Sequence, residues 1–281
     1  MKRILLPMLV FVTLIILVVC QTKLSVSDLS PSASAFVSDS SPQMEKVTLR
    51  VLAAASLTES LKEIADNYKR ENPSIDFELN FAGTQALVSQ IEQGVDADVF
   101  LSANMKYMTE MKDKGYVEDY SMFVANELVI VYYYKAKLSG LEDLVKTGVT
   151  LAIADESVPV GQYTLQMLHK IESSGNFPKG YKDNFMGNVR SKEMDVKSVE
   201  QKVQLGEVDA GIVYKSDAAA ADQRKVKTIN IPKKYNVIAE YPVAVLRGSA
   251  HKDASKAFVD YLLSNAGMAV MEKYGFQAAL K

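Results

Sequence analysis

One stretch constrains this chain more than any other: Val51 to Leu61, V-L-A-A-A-S-L-T-E-S-L. Val47 to Ala53 is an apolar run rich in β-branched residues, the pattern of a short buried strand. From Leu57 the period changes, and Leu61, Ile64, Ala65 and Tyr68 recur at helical spacing as far as about Arg70. Ser56 lies between the two, behind small alanines, where a helix N-cap belongs. A capping hydroxyl and the unpaired N–H groups of a first helical turn can together hold an anion. Taken alone, Ser56 need do no more than cap its own helix. The pattern recurs, however. Ile75, Phe77, Leu79 and Phe81 alternate as a strand does, Gly83-Thr84 follows, and a helix carrying Leu87, Val88 and Ile91 stops at Gly94. Thr84 therefore holds the same post as Ser56.

A third unit, the strand Val99 to Ser102 and the helix Lys106 to Lys114, completes a β-α-β-α-β-α run, the pattern of a parallel sheet with helices on both faces. In such sheets ligands sit at the carboxyl ends of the strands, where Ser56 and Thr84 lie. A second alternating run follows. It comprises the strands Leu128 to Tyr134 and Thr150 to Ala154, a loop Val158-Pro159-Val160-Gly161 before a helix with Thr164, Leu168 and Ile171, and a short strand Asn188 to Lys192. The helix opened by Asp195-Val196 and the strand Asp209 to Tyr214 complete it. Two further strands, Val226 to Ile231 and Val237 to Val245, precede two C-terminal helices expected to pack back on the first run. The fold class is α/β: two lobes, each a mixed, mainly parallel sheet flanked by helices, joined by two crossover strands at Glu127 to Tyr134 and Asn236 to Val245. Residues 47–126 with 242–281 would form one lobe and 127–241 the other, around a hinged cleft.

The beginning of the chain is of another kind. Lys2 and Arg3 precede the apolar run Ile4 to Val19, too short for a bilayer span of ~20 residues and typical of a secretory signal. Cys20, the single cysteine, closes that run in L-V-V-C, so the fold relies on no internal disulfide. Its position resembles a bacterial lipobox, which implies a lipid-bearing first residue of the mature chain and an anchor in the membrane. The alternative is cleavage further on, after Ala35. Residues 21–46, with many serines and two prolines, read as a flexible tether. A formal net charge of -2 over 281 residues gives no reason to expect nucleic acid as a partner.

The residues that carry chemistry are the turn hydroxyls Ser56 and Thr84, the helix starts at Val160 and Val196, and Tyr214 at the end of its strand. Four helix N-termini, two from each lobe, would face one cleft, each worth ~0.3–1 kcal/mol toward a charge when exposed and more when partly buried. His169 and His251 are unclustered and make neither a metal site nor a triad, and no G-x-S-x-G, P-loop or H-E-x-x-H occurs. A hydrolase with Ser56 as nucleophile would lack its base.

Five blocks carry a family likeness: A-A-A-S-L-T, F-A-G-T-Q-A-L-V-S-Q-I-E-Q-G-V-D-A-D-V-F-L-S-A, V-P-V-G-Q-Y, L-G-E-V-D-A-G-I-V-Y-K-S-D-A and E-Y-P-V-A-V. In content and order they resemble the periplasmic molybdate-binding proteins of ABC transporters, from about Val47 to the end. The resemblance implies a type II periplasmic-binding-protein fold closing on a tetrahedral oxyanion. It also implies an extracytoplasmic, monomeric receptor that delivers molybdate or tungstate to an ABC permease, with no cofactor besides that ligand; sulfate or another oxyanion is the alternative. Carried over by position, the hydroxyls of Ser56, Thr84 and Tyr214 and the N–H groups of Val160 and Val196, with those of Ser56 and Thr84, would be the donors. Thr84 stands where a serine is usual.

Overall fold

The computed structural model describes residues 46–279; the leader, Cys20 and most of the tether lie outside them. Three strand–helix units open the described chain. The first is β1 (Val47–Ala54), a 3₁₀ turn (Ala55–Leu57) and α1 (Thr58–Glu71). The second is β2 (Ile75–Ala82) with α2 (Thr84–Glu92), and the third β3 (Val99–Leu101) with α3 (Met105–Asp113). Then come β4 (Ser121–Tyr133), β5 (Leu151–Ala154), α4 (Pro159–Ser173), α5 (Tyr181–Asn188), β6 (Val189–Glu193), α6 (Val196–Leu205), β7 (Ala210–Tyr214), α7 (Lys215–Ala220) and β8 (Val226–Asn230). β9 (Ile238–Val245), α8 (Lys252–Leu263), α9 (Asn265–Lys273) and β10 (Gln277–Ala278) finish it.

The strands form one mixed sheet in the order β2-β1-β3-β9-β4-β7-β5-β6, with β8 and β10 pairing with β4 beside that path. Its two ends are parallel, β2-β1-β3 on one side and β6-β5-β7 on the other, as their helical connections require. Its middle is antiparallel, because β4 runs through both lobes. Ser121 to Glu127 pair with β9, and Leu128 to Tyr133 pair with β7 and β8. The strand thus changes partners between Glu127 and Leu128. Just before β9, the Asn236 side chain bonds to β4 as a neighbouring strand would. Its Oδ1 accepts from Leu128 N at 3.0 Å and its Nδ2 donates to Leu128 O at 2.9 Å.

The core lies under these central strands. Leu49, Val51 and Ala53 of β1 and Leu128 to Val131 of β4 are almost wholly buried; the β4 segment reads as an unbroken apolar run, whereas β1 is interrupted by the exposed Arg50. On α1 the stripe Leu61, Ile64, Ala65 and Tyr68 faces inward. Burial of each Leu or Ile contributes roughly 1.5–3 kcal/mol. Tyr68 meets Phe77 of β2 edge-on at 6.0 Å and Phe258 of α8 at 5.3 Å, so the C-terminal helices do dock on the first lobe. α6 ends at Gly206, whose φ of 73° is the left-handed conformation glycine reaches without strain.

Several elements differ from expectation. Ser121 to Glu127 extends β4 by half its length; covered on both faces, it shows no alternation. The helices α5 and α7 carry only short apolar signals, Tyr181 and Phe185 on the first and alanines on the second. The helix start expected at Val160 falls at Pro159, which occupies the first helical position.

Candidate functional site

Ser56 is not the N-cap of α1. A 3₁₀ turn intervenes, α1 begins at Thr58 with Leu57 in the cap position, and no side chain caps it. Instead Thr58 Oγ1 donates to Ala55 O at 2.6 Å, tightening the turn and releasing Ser56 from capping. Its hydroxyl lies 2.9 Å from the hydroxyl of Tyr241, a fully buried residue of β9. Thr84 is the first residue of α2, behind Gly83 as N-cap, and its Oγ1 accepts from Ala103 N at 3.1 Å. Each hydroxyl thus has one neighbour within the protein, and each keeps the means to donate one proton elsewhere. For Ser56 this requires Tyr241 to be the donor of their pair.

The second lobe contributes Val160 in the first turn of α4, Val196 as the first residue of α6, and Tyr214 at the end of β7. The cap of α6 is Asp195, whose side chain accepts from Ser198 N at 2.8 Å. That satisfies one of the four N–H groups a helix start leaves unpaired and leaves the N–H of Val196 outside the cap. Tyr214 is 1% exposed, with its ring edge-on to Tyr163 and Tyr241, yet its hydroxyl has no hydrogen-bond partner among the described residues. Burial holds the phenol well above its ordinary pKa, so it is a proton donor at every physiological pH.

All five residues singled out in the sequence line one cavity, together with Ala54, Ala55, Ala82, Gly83, Ala103, Val158 and Pro159. It is small, with about 210 Å³ of open space, mouth included. Pockets for drug-sized ligands run to ~300–1,000 Å³. No lining residue carries a carboxylate or a basic side chain. Its lining includes three hydroxyl-bearing residues and helix starts from both lobes, set among alanines, valines and a proline. That arrangement suits a small, compact anion.

The cleft is closed. Gln85 Nε2 donates to Met194 O at 2.7 Å, Asn104 Nδ2 to Gln162 Oε1 at 3.3 Å, and the Tyr107 hydroxyl to Ser157 O, each across the lobes. Lys197, next to Val196, reaches Glu59 of α1 at 2.8 Å and Asp217 of α7 at 3.2 Å. The Asp217 contact is an ion pair rather than a full hydrogen bond, and among the described residues neither oxygen of this fully buried carboxylate has a hydrogen-bond partner. Burial pushes Asp217 up to about 6 against the pull of Lys197, and burial likewise raises Glu200 on the next turn of α6. A carboxylate raised on folding stabilises the fold below its unfolded pKa and loses that contribution as pH climbs through about 6. We therefore expect Asp217→Asn to gain about 2–3 kcal/mol on the native chain between pH 4 and pH 7.5, measured as the difference in denaturant stability at the two pH values. A gap that does not change with pH would remove Asp217 from the titrating groups.

Sequence reasoning did not single out Tyr241, Gly83 or the Lys197 cluster. Tyr241 lies inside the block E-Y-P-V-A-V, so a signal was present; nothing in sequence places Lys197 against Glu59, 138 positions away.

Fold and cavity together define a two-lobed binding protein for a small solute, built to close over it. The chain belongs to the bacterial extracellular solute-binding proteins, whose family model matches residues 49–277. It is 34% identical over 245 residues to the molybdate-binding protein ModA of Haemophilus influenzae, covering 83% of this chain and 90% of that one. Among solved structures, a substrate-binding domain ascribed to a molybdenum ABC transporter of Clostridium difficile is 30% identical, with a TM-score of 0.63 over 84% of this chain and all of that one. The periplasmic molybdate-binding protein of Azotobacter vinelandii shares the fold, with a TM-score of 0.70 at 18% identity, over 83% of this chain and 100% of that one.

Proposed function

We propose that the chain captures molybdate, and tungstate, outside the cytoplasm and delivers it to an ABC permease. The observation that carries this reading is the Tyr214 hydroxyl, buried and without a hydrogen-bond partner among the described residues, on a residue lining a cavity that holds no carboxylate and no basic side chain. An unmet buried group costs ~1–3 kcal/mol, and a bound oxyanion removes that cost. Ser56, Thr84 and Tyr214 donate through hydroxyls, and Val160 and Val196 through backbone N–H groups, so both lobes hold the same ion and its binding closes the cleft. Relatives named for molybdate support the choice of ion.

Thermal unfolding against an oxyanion panel tests the reading. A ligand at 100 times its dissociation constant adds ~2.7 kcal/mol, which for a domain of this size raises the melting temperature by about 5–10 °C. Molybdate and tungstate should do so; a shift with sulfate alone would change the ligand, and no shift with any of them would sink the reading. The lipid anchor at Cys20 belongs to the same proposal. Cys20→Ala should leave the membrane fraction of expressing cells, and equal partitioning of both forms would count against the anchor.

A further inference from the structure

Gly83 precedes Thr84 at the cleft and has backbone angles of φ −57° and ψ 138°, open to any L-residue. Its conformation therefore does not call for glycine. Space does. A Cβ at this position would stand 2.3 Å from the carbonyl oxygen of Met194, a backbone atom of the other lobe, where ordinary contact begins near 3.4 Å. The other close atoms, at 2.5 and 2.6 Å, are the amide end of Gln85, which can rotate away. Met194 itself turns its side chain outward, 58% exposed, and presents its carbonyl to Gly83 and to Gln85 Nε2.

We propose that Gly83 against the Met194 carbonyl is the stop that ends closure of the cleft, and that this stop sets the size of oxyanion the cavity accepts. The inference rests on the oxyanion-binding reading above. Backbone here meets backbone, and neither side can repack as two flexible side chains would. Gly83 is one residue from Thr84 and Met194 two residues from Val196, so the stop fixes the separation of donors that belong to opposite lobes. In an open cleft Met194 withdraws with its lobe, and a methyl group at position 83 then meets only the movable Gln85 side chain. A Cβ is thus harmless to the open form and obstructs only the last ångström of closing. Hydrogen bonds tolerate a range of ~2.7–3.2 Å, so about 1 Å of extra width breaks the contacts of Val160, Val196 and Tyr214 with an ion held by Ser56 and Thr84. A smaller ion spans the widened gap less well than a larger one.

The experiment measures Gly83→Ala and Gln85→Ala beside the native protein, by calorimetry with molybdate and with sulfate and by small-angle scattering with and without molybdate. For Gly83→Ala we expect an unchanged melting temperature without ligand, molybdate affinity lower by about tenfold or more, incomplete compaction, and a larger loss for sulfate wherever the native protein binds it. Gln85→Ala, which removes a cross-cleft hydrogen bond without adding a wedge, should compact fully and lose no more than about tenfold. Three results would overturn the stop: Gly83→Ala binding within about twofold of native, a fall in its unliganded melting temperature, or the same incomplete compaction in Gln85→Ala. A native protein that binds no oxyanion would overturn the functional reading and the stop with it, whereas native binding matched by Gly83→Ala overturns the stop alone.

Discussion

Protein carrying both Ser56→Ala and Thr84→Ala should bind molybdate about 10²- to 10⁴-fold more weakly than the native chain. Each hydroxyl is a neutral donor to a charged acceptor, a bond worth ~1.5–3 kcal/mol, and two of them give ~3–6 kcal/mol at 1.4 kcal/mol per decade. Both donate to one ion, so the two losses need not add, and a double-mutant cycle measures the coupling. The substitutions also touch the fold. Ser56→Ala leaves the buried Tyr241 hydroxyl without its 2.9 Å partner, and Thr84→Ala leaves Ala103 N without its acceptor. A fall of ~1–3 kcal/mol in unliganded stability for each is therefore expected beside the loss of affinity. Thr84→Ser separates the two effects, because it keeps the hydroxyl and the Ala103 bond; it should retain both stability and affinity. Calorimetry on the folded variants is the measurement. Native affinity in the double variant would take these turns out of the site.

Val196→Pro should weaken molybdate binding by roughly 10–150-fold while leaving α6 in place. Val196 is the first residue of that helix, the one position where proline fits without loss, since the N–H it removes has no intrahelical acceptor. The residue before it, Asp195, is extended at φ −157° and ψ 166°, as a following proline requires. Its capping bond to Ser198 N is untouched. The substitution thus deletes one backbone donor from the cavity and little else. Circular dichroism checks the helix and calorimetry the affinity; a variant that folds and binds like the native chain would show that this N–H does not reach the ion.

How much of this was legible beforehand depends on the range of the interaction. Period and turn chemistry are local, so the alternation of strand and helix from Val47 to Lys114 and the helix start at Asp195-Val196 could be read directly. The post of Ser56 was misjudged by one turn, because a 3₁₀ turn and a helix N-cap share the same short sequence of small and hydroxyl residues. The first half of β4 escaped because a strand covered on both faces loses its alternation. The path of β4 through both lobes, the Asn236 clamp on Leu128 and the contact of Gly83 with Met194 join residues about 100 positions apart. Only the folded chain brings these together. Gly83 is instructive, since its glycine is required by a neighbour in space rather than by its own backbone angles.

The central claim is a cavity of neutral donors with no carboxylate to act as acceptor, and competition against bound molybdate tests it most directly. Molybdate, tungstate and sulfate carry no proton near neutral pH, whereas even the phosphate dianion keeps one hydroxyl. Buried among Ser56, Thr84, Tyr214 and the N–H groups of Val160 and Val196, that hydroxyl would find no carboxylate to accept its proton, only neutral hydroxyl oxygens, at a cost of up to ~1–3 kcal/mol beyond any mismatch of size. In a calorimetric titration at neutral pH, phosphate at comparable concentration should displace little molybdate, while tungstate competes at that concentration. Displacement of molybdate by phosphate at comparable concentration would contradict the account.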